Sequence, residues 1–286
     1  MATTTSASIS DLRFRGVRGG LIQKHRSMIT SVHQPRRFFF ASLTAAVLLV
    51  LWALSLDWIA VFWASVMDFW QARIGIEGQV SIIHYQLGDM VRFSMPYLYF
   101  HSGIPTNDLW WAGTIATAIL VLASMLLPRR LLPVSFTLRI VSFFQGCAQL
   151  FFVLWPYEFP YRASGYIHGT MIACLMLISL VPVLLGFTYF LFDFKLYRKL
   201  GLALLTMLHL VVMIPLQYVL HAYLLAHFSL LFLPLLFFVF GLPLNTLIVI
   251  AFYSWGFSWK DDLREEDPLP SKPAQEPEPL PEGGAA

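Results

Sequence analysis

Six apolar stretches, each long enough to cross a bilayer as a helix, fix the class of this 286-residue chain. Crossing roughly 30 Å of hydrocarbon takes about 20 helical residues, and only helices and closed barrels satisfy their own backbone hydrogen bonds there. The first stretch starts at Phe38, runs cleanly to Leu56, and resumes after Asp57 as WIAVFWASVM up to Asp68. It reads as one long helix whose outer part, carrying Trp58, Trp63 and Trp70, emerges through the aromatic interface belt. The others cover about 109–127, 132–155, 168–192, 201–221 and 230–256. Pro234 and Pro243 interrupt the last one, and Gly241-Leu-Pro-Leu-Asn245 is expected to kink it, because proline removes a bond from the helical ladder.

Charged residues make up 12% of the chain, half the roughly 25% usual in a soluble domain, which excludes an ordinary soluble enzyme. What charge there is sits in blocks. Residues 1–37 hold seven Lys/Arg against Asp11 alone, and residues 257–286 hold eight acids against three bases. Together with the basic Arg129-Arg130 and Lys195/Arg198/Lys199 turns, the N-terminal block orients the chain by the positive-inside rule. The expectation is an all-α polytopic helical bundle in a bacterial inner membrane, with six spans and both termini cytoplasmic. About 37 mostly polar residues precede the first span, too many for the basic region of a cleavable signal, so that span should remain as an anchor.

Three regions follow. Residues 1–37 form a basic tail in which Leu21, Met28, Ile29 and Val32 share one helical face, as an interfacial helix on an anionic leaflet would have it. Residues 38–256 form the membrane domain, with 71–108 as its largest periplasmic segment and shorter turns at 157–167 and 222–229. Within 71–108, QVSIIHYQLGDMVRFSMPYLYF alternates like a strand in its first part, while its second part also suits a helix lying on the bilayer; periodicity does not choose between them. Residues 257–286, rich in Pro and Glu, cannot bury a core.

Histidines head the candidate functional groups. His84, His101 and His168 are expected on the periplasmic side with Asp89, Glu158 and Arg162, alongside His221 and His227. Their spacing matches no zinc pattern such as HExxH, so no metal or cofactor is expected. His84 and Asp89 have the HxxxxD spacing of a general-base pair, and Glu158 and Arg162 stand four apart in a proline-rich turn. His209 falls near the middle of the fifth span, where an ionisable side chain is a functional hypothesis by default. Its structural alternative is a hydrogen bond to Asn245 at similar depth in the sixth span. Gln145 and Gln149, one turn apart on the third, read as interhelical glue. Cys147 and Cys174 sit in apolar runs with no ligand spacing and read as small buried side chains.

Residues of about 40–192 resemble the small membrane proteins found with the exosortase-H type of protein-sorting system. The likeness rests on Pro96-Tyr-Leu-Tyr99 followed by Gly103-Ile-Pro105, on Phe143-Phe-Gln145, and on Gly165-Tyr166 leading to Val181-Pro-Val183. The chain departs from that family in its fifth and sixth spans and acidic tail, and no exosortase pattern of Cys with Arg and His surrounds Cys147 or Cys174. The resemblance implies an accessory subunit beside a membrane transpeptidase. The expected function is therefore a non-catalytic accessory or scaffold subunit of an envelope system for protein sorting, export or surface-polymer assembly. Its partners would be the lipid bilayer and other membrane proteins, with no nucleic acid. The alternatives are a small permease using His209 and the broken sixth span, and a membrane-embedded enzyme using the periplasmic His/Asp/Glu set.

Overall fold

A computed structural model describes residues 35–87, 91–188 and 196–258. The chain runs through helix α1 (Pro35–Arg73), strands β1 (Gly78–Leu87) and β2 (Val91–Phe100), then α2 (Asn107–Leu126), α3 (Leu132–Leu154), α4 (Ala163–Thr188), α5 (Leu196–Phe228), α6 (Leu233–Phe238) and α7 (Leu242–Phe257). Among the described residues, six segments are long and apolar enough to cross a membrane, at Phe39–Arg73, Asn107–Leu126, Arg129–Leu154, Ala163–Leu184, Tyr197–Phe228 and Leu230–Gly256. The protein is a multi-pass helical membrane protein. The interfacial helix expected at 21–32, the acidic tail beyond 258 and Asp89 lie outside the described residues.

Local chemistry sets the helix ends. Pro35 opens α1, where a missing N–H costs nothing. Thr106 caps α2 by accepting from the Leu109 amide at 3.4 Å, and Asp108 complements the dipole in the first turn. The sixth span breaks as its prolines predict: a 3-10 turn at Leu230–Phe232, α6, an interruption at Val239–Gly241, then α7. Pro234 and Pro243 each fall in the first turn of a helix. A Cβ at Gly241 would stand 2.8 Å from the Phe237 carbonyl oxygen, so the break needs glycine.

Two expectations about ends are corrected. Helix α4 begins at Ala163 and α5 continues to Phe228, so His168 and His221 lie inside helices and are buried, and His227 sits in the last turn of α5. The turn expected over 222–229 is reduced to Ser229, held at a φ of 83°. Such a backbone is strained for a residue with a Cβ. It is retained because the Ser229 hydroxyl accepts from Leu231 N at 3.4 Å and Leu230 N donates to Gly103 O at 3.1 Å.

The mixed segment resolves into a β-hairpin throughout. Gly78 pairs with Phe100, His84 with Ser94 and Leu87 with Val91 in one antiparallel register. Opposed residues share a face. Ile82, His84, Gln86, Arg92 and Ser94 therefore lie on one side, and Ile83, Tyr85, Phe93, Met95 and Tyr97 on the other. The hairpin has no core of its own: Met95, Leu98 and Phe100 are buried in the common core with α1, α4 and α5.

Its position is set by a few bonds. At the hairpin end of the bundle, Phe100 N donates to Ser164 Oγ at 3.0 Å, at the start of α4, and Ser102 Oγ donates to Leu225 O near the end of α5. From there β2 descends, reaching His168 on α4 through Pro96 O and Asp57 on α1 through Ser94. The hairpin is thus wedged between the outer halves of α1 and α4. Their inner halves touch directly, with Gly186 against Ala45 and Ala41, and Trp52 Nε1 donating to Ser179 Oγ at 2.8 Å. Ser164 and His168 cover carbonyl and amide groups on the outer edge of β2 that have no strand partner. Helices α2 and α3 form an outlying pair, joined where Trp110 Nε1 donates to Gln149 O at 3.1 Å.

The outer part of α1 also differs from expectation. At about 1.5 Å per residue its 39 residues span about 58 Å, nearly twice the hydrocarbon thickness. Trp58 is 80% exposed and Trp70 is 39% exposed, but Trp63 is fully buried and donates to Val211 O at 2.8 Å. Trp63 serves as an interhelical tie instead of a belt residue. Val211 lies near the middle of α5 and Ser179 near the middle of α4, so Asp57, between Trp52 and Trp63, sits near mid-depth in the bundle.

Candidate functional site

A cleft of about 700 Å³ opens between α1 and the hairpin, lined by Asp57 and Val61 on the helix and by Ile82, His84, Gln86, Arg92 and Ser94 from the near face of the hairpin. Alternation along each strand brings all five strand residues to that face. Ser94 Oγ donates to Asp57 Oδ1 at 2.9 Å, and His84 Nδ1 stands 2.8 Å from the same hydroxyl. Because the single hydroxyl proton goes to the carboxylate, His84 Nδ1 carries hydrogen and donates to Ser94, which leaves Nε2 as the ring nitrogen free for a ligand. This polarity is opposite to that of a serine nucleophile, whose proton must go to the imidazole. The cleft therefore presents a carboxylate, an imidazole and a guanidinium as a binding surface.

On the far face, His168 fixes the hairpin to α4. Its Nδ1 donates to Pro96 O at 3.0 Å, and Nε2 accepts from the Tyr85 hydroxyl at 2.5 Å. Tyr85 stacks on both Phe93 and His168, and Tyr97 packs against the same imidazole. Pro96 contributes twice, as an edge carbonyl that His168 reads and as a residue with no amide to leave unpaired.

A second polar set lies inside the helices. Tyr166 OH and His221 Nδ1 are 3.0 Å apart, Tyr218 OH is 3.3 Å from Cys174 Sγ, and Asn245 Nδ2 donates to Cys174 Sγ at 3.4 Å and to Gly241 O at 3.3 Å. These bonds tie α4 to α5 and to α7 around the break in the last span. Asn245 is fully buried, and its Oδ1 has no partner among the described residues.

The residues singled out by sequence scatter among these places. His209 packs edge-on against Phe252 at 5.2 Å between ring centres, and the hydrogen bond expected to Asn245 is replaced by the Asn245–Cys174 pair, because Asn245 turns toward α4. Gln149 is interhelical glue, donating to Thr117 at 3.4 Å and accepting from Thr114 on α2. Gln145 is not: both of its polar side-chain atoms are buried without partners among the described residues, as is the Ser142 hydroxyl one turn away. His84 and His168 occupy opposite sides of the hairpin, and His101 is exposed in the segment that follows it. Glu158 and Arg162 are both exposed in the non-helical turn between α3 and α4. Among the described residues, no three His, Cys, Asp or Glu side chains converge as metal ligands. A cavity of about 290 Å³ between α4, α5 and α7 is apolar apart from Thr206 and Tyr253, and His209 is not among its lining residues.

Sequence reasoning missed Asp57, Ser94 and Tyr85 as site residues. The signal for Asp57 was present, since a lone carboxylate inside an apolar run of this length needs a partner. No family model, curated protein or solved structure matches this chain.

Proposed function

We propose that the protein is a non-catalytic accessory subunit of a bacterial inner-membrane system for protein sorting, export or surface-polymer assembly, acting by holding a partner in the membrane. The observation that carries this reading is the use to which the interior polar groups are put. Tyr166, His221, Tyr218, Cys174 and Asn245 bond one another across α4, α5 and α7, tying the bundle together. The short aromatic motifs that resemble exosortase-H-associated proteins point the same way.

A small permease is the second reading, favoured by the partnerless Asn245 Oδ1 beside the broken last span, since broken helices form the substrate sites of many transporters. Complementation of a deletion strain, scored beside membrane abundance, separates the two. Under the accessory reading, His209→Leu and Tyr218→Phe accumulate and complement. Normal abundance with a null phenotype for either variant overturns that reading and puts the permease first.

A further inference from the structure

We propose that the outer edge of β1 takes up an extended segment of another membrane protein as a third strand of the sheet. That segment belongs to the partner required by the accessory reading, on which this inference rests. The direction of the backbone groups is the first observation. Phe100 N and O turn to Ser164 and Pro96 O turns to His168, so these residues of β2 face away from β1. Opposed residues of an antiparallel pair exchange both of their backbone bonds or neither. Ile82, opposite Pro96, therefore turns its N–H and C=O outward, and by alternation so do Val80, His84 and Gln86. Among the described residues, no group is bonded to the outward N–H or C=O of these four.

This edge also lacks the usual guards, which are charge, proline or a bulge. β2 carries Arg92 and Pro96 and is covered from α4, whereas β1 runs ten residues, GQVSIIHYQL, without Asp, Glu, Lys, Arg or Pro and in unbroken register. Gln79, Ser81, Ile82, His84 and Gln86 are all exposed. The edge starts at the outer end of the bundle, where Gly78 pairs with Phe100, and reaches the level of Asp57, where His84 pairs with Ser94. An open sheet edge finds no bonding partners in lipid, and only another strand matches its alternating donors and acceptors. Leaving such groups bare is costly, so the cover is a standing subunit instead of a passing substrate.

A second copy of this chain does not fit. Copies inserted alike are related by a two-fold axis along the bundle, which sets their β1 strands parallel with identical residues level. A parallel ladder needs each outward-facing residue level with one that faces away, so that arrangement sets N–H against N–H. The described chain itself begins and ends at the inner end of the bundle, with Gly186 against Ala45 and Gly256 against Leu202. On the guest strand, side chains beside His84 and Gln86 meet polar neighbours, and those beside Ile83 and Tyr85 meet apolar ones.

The test places a benzoylphenylalanine photocrosslinker at Gln79 or Ser81, exposed positions two apart on one face, in cells making the full chain with two different tags. The expected adducts join one other protein at sites about two residues apart in it, as neighbouring strands require. Ile82→Pro removes an outward donor without touching the hairpin's own ladder, since its opposite number is already Pro96. It should lower both adducts about tenfold, while Ile82→Ala, which keeps the N–H, retains them. Unchanged adducts in Ile82→Pro overturn the pairing, as do adduct sites scattered over the partner. If Ile82→Pro does not accumulate, the spacing of the wild-type adducts decides. Adducts between the two tagged forms, or with lipid alone, overturn the occupant. Capture from exposed Trp111 on α2 with none from β1 overturns the edge and leaves the accessory reading standing, whereas a null phenotype for Tyr218→Phe at normal abundance overturns both.

Discussion

Pro215 lies inside α5, and its missing N–H leaves the carbonyl one turn earlier, that of Val211, without a helical donor. The indole of Trp63 fills that vacancy from α1. Trp63→Phe removes the donor and strands the carbonyl in an apolar setting, a loss of about 1–3 kcal/mol, with about 1 kcal/mol more for the smaller ring. Pro215→Ala restores the helix's own bond to Val211 and makes the indole N–H redundant. In the double variant the stranding cost disappears while the packing cost remains. The coupling between the two changes should therefore equal that stranding cost, about 1–3 kcal/mol, above the average of about 0.6 kcal/mol measured for interhelical bonds in membranes, because this carbonyl has no alternative partner in its own helix. Unfolding free energies of the four variants in mixed micelles measure that coupling. Additivity within about 0.5 kcal/mol refutes the pairing of a proline vacancy with a tryptophan donor.

Further expectations concern orientation, the hairpin and the helix break. Alkaline phosphatase fused after Asn107 should be active and after Lys199 inactive, and activity at the second site reverses the orientation inferred from the basic turns. Tyr85→Phe removes the bond to His168 and should lower stability by about 1 kcal/mol while increasing proteolysis within 78–100; unchanged cleavage shows that the Tyr85–His168 bond does not hold the hairpin. Gly241→Ala places a methyl against the Phe237 carbonyl and should cost about 1–3 kcal/mol, read as a lower melting temperature in detergent; a neutral result means the break can shift.

The spans were legible because their signal is local. Twenty consecutive apolar residues have few other readings, and Pro234 and Pro243 stand in the first turn of the two pieces of the broken last span, although Pro182 and Pro215 lie inside continuous helices. The hairpin was only half legible. The first part alternates like a strand but did not settle the choice, and in β2 the aromatic residues that face α4 and those exposed both look amphipathic at a helical period. What makes it a strand is the cover given to its edge by Ser164 and His168, 64 and 72 positions along the chain from the atoms they bind. Asp57 was read only as an interruption in the apolar run of α1, because an isolated charge there is ambiguous until its partner is known. That partner, Ser94, lies 37 positions away. Asn245 was singled out for its place in the last span and paired with His209 on α5, whereas it bonds Cys174 on α4, since position along a helix says nothing about azimuth.

The wedged hairpin also dictates an order of assembly. Synthesis runs from the N-terminus, so β1 and β2 are complete before the first residue of α4 exists. Until Ala163–Thr188 is threaded into the bilayer, the edge that Ser164 and His168 later cover is bare, and the near face rests on α1 alone. Helices α2 and α3 must be inserted during that interval, which obliges them to take the outlying place they hold and to leave open the slot beside α1. The hairpin's final seat is thus a late event in biogenesis. A ribosome stalled before Ala163 would display an uncapped strand to whatever quality-control or insertion factor stands at the membrane.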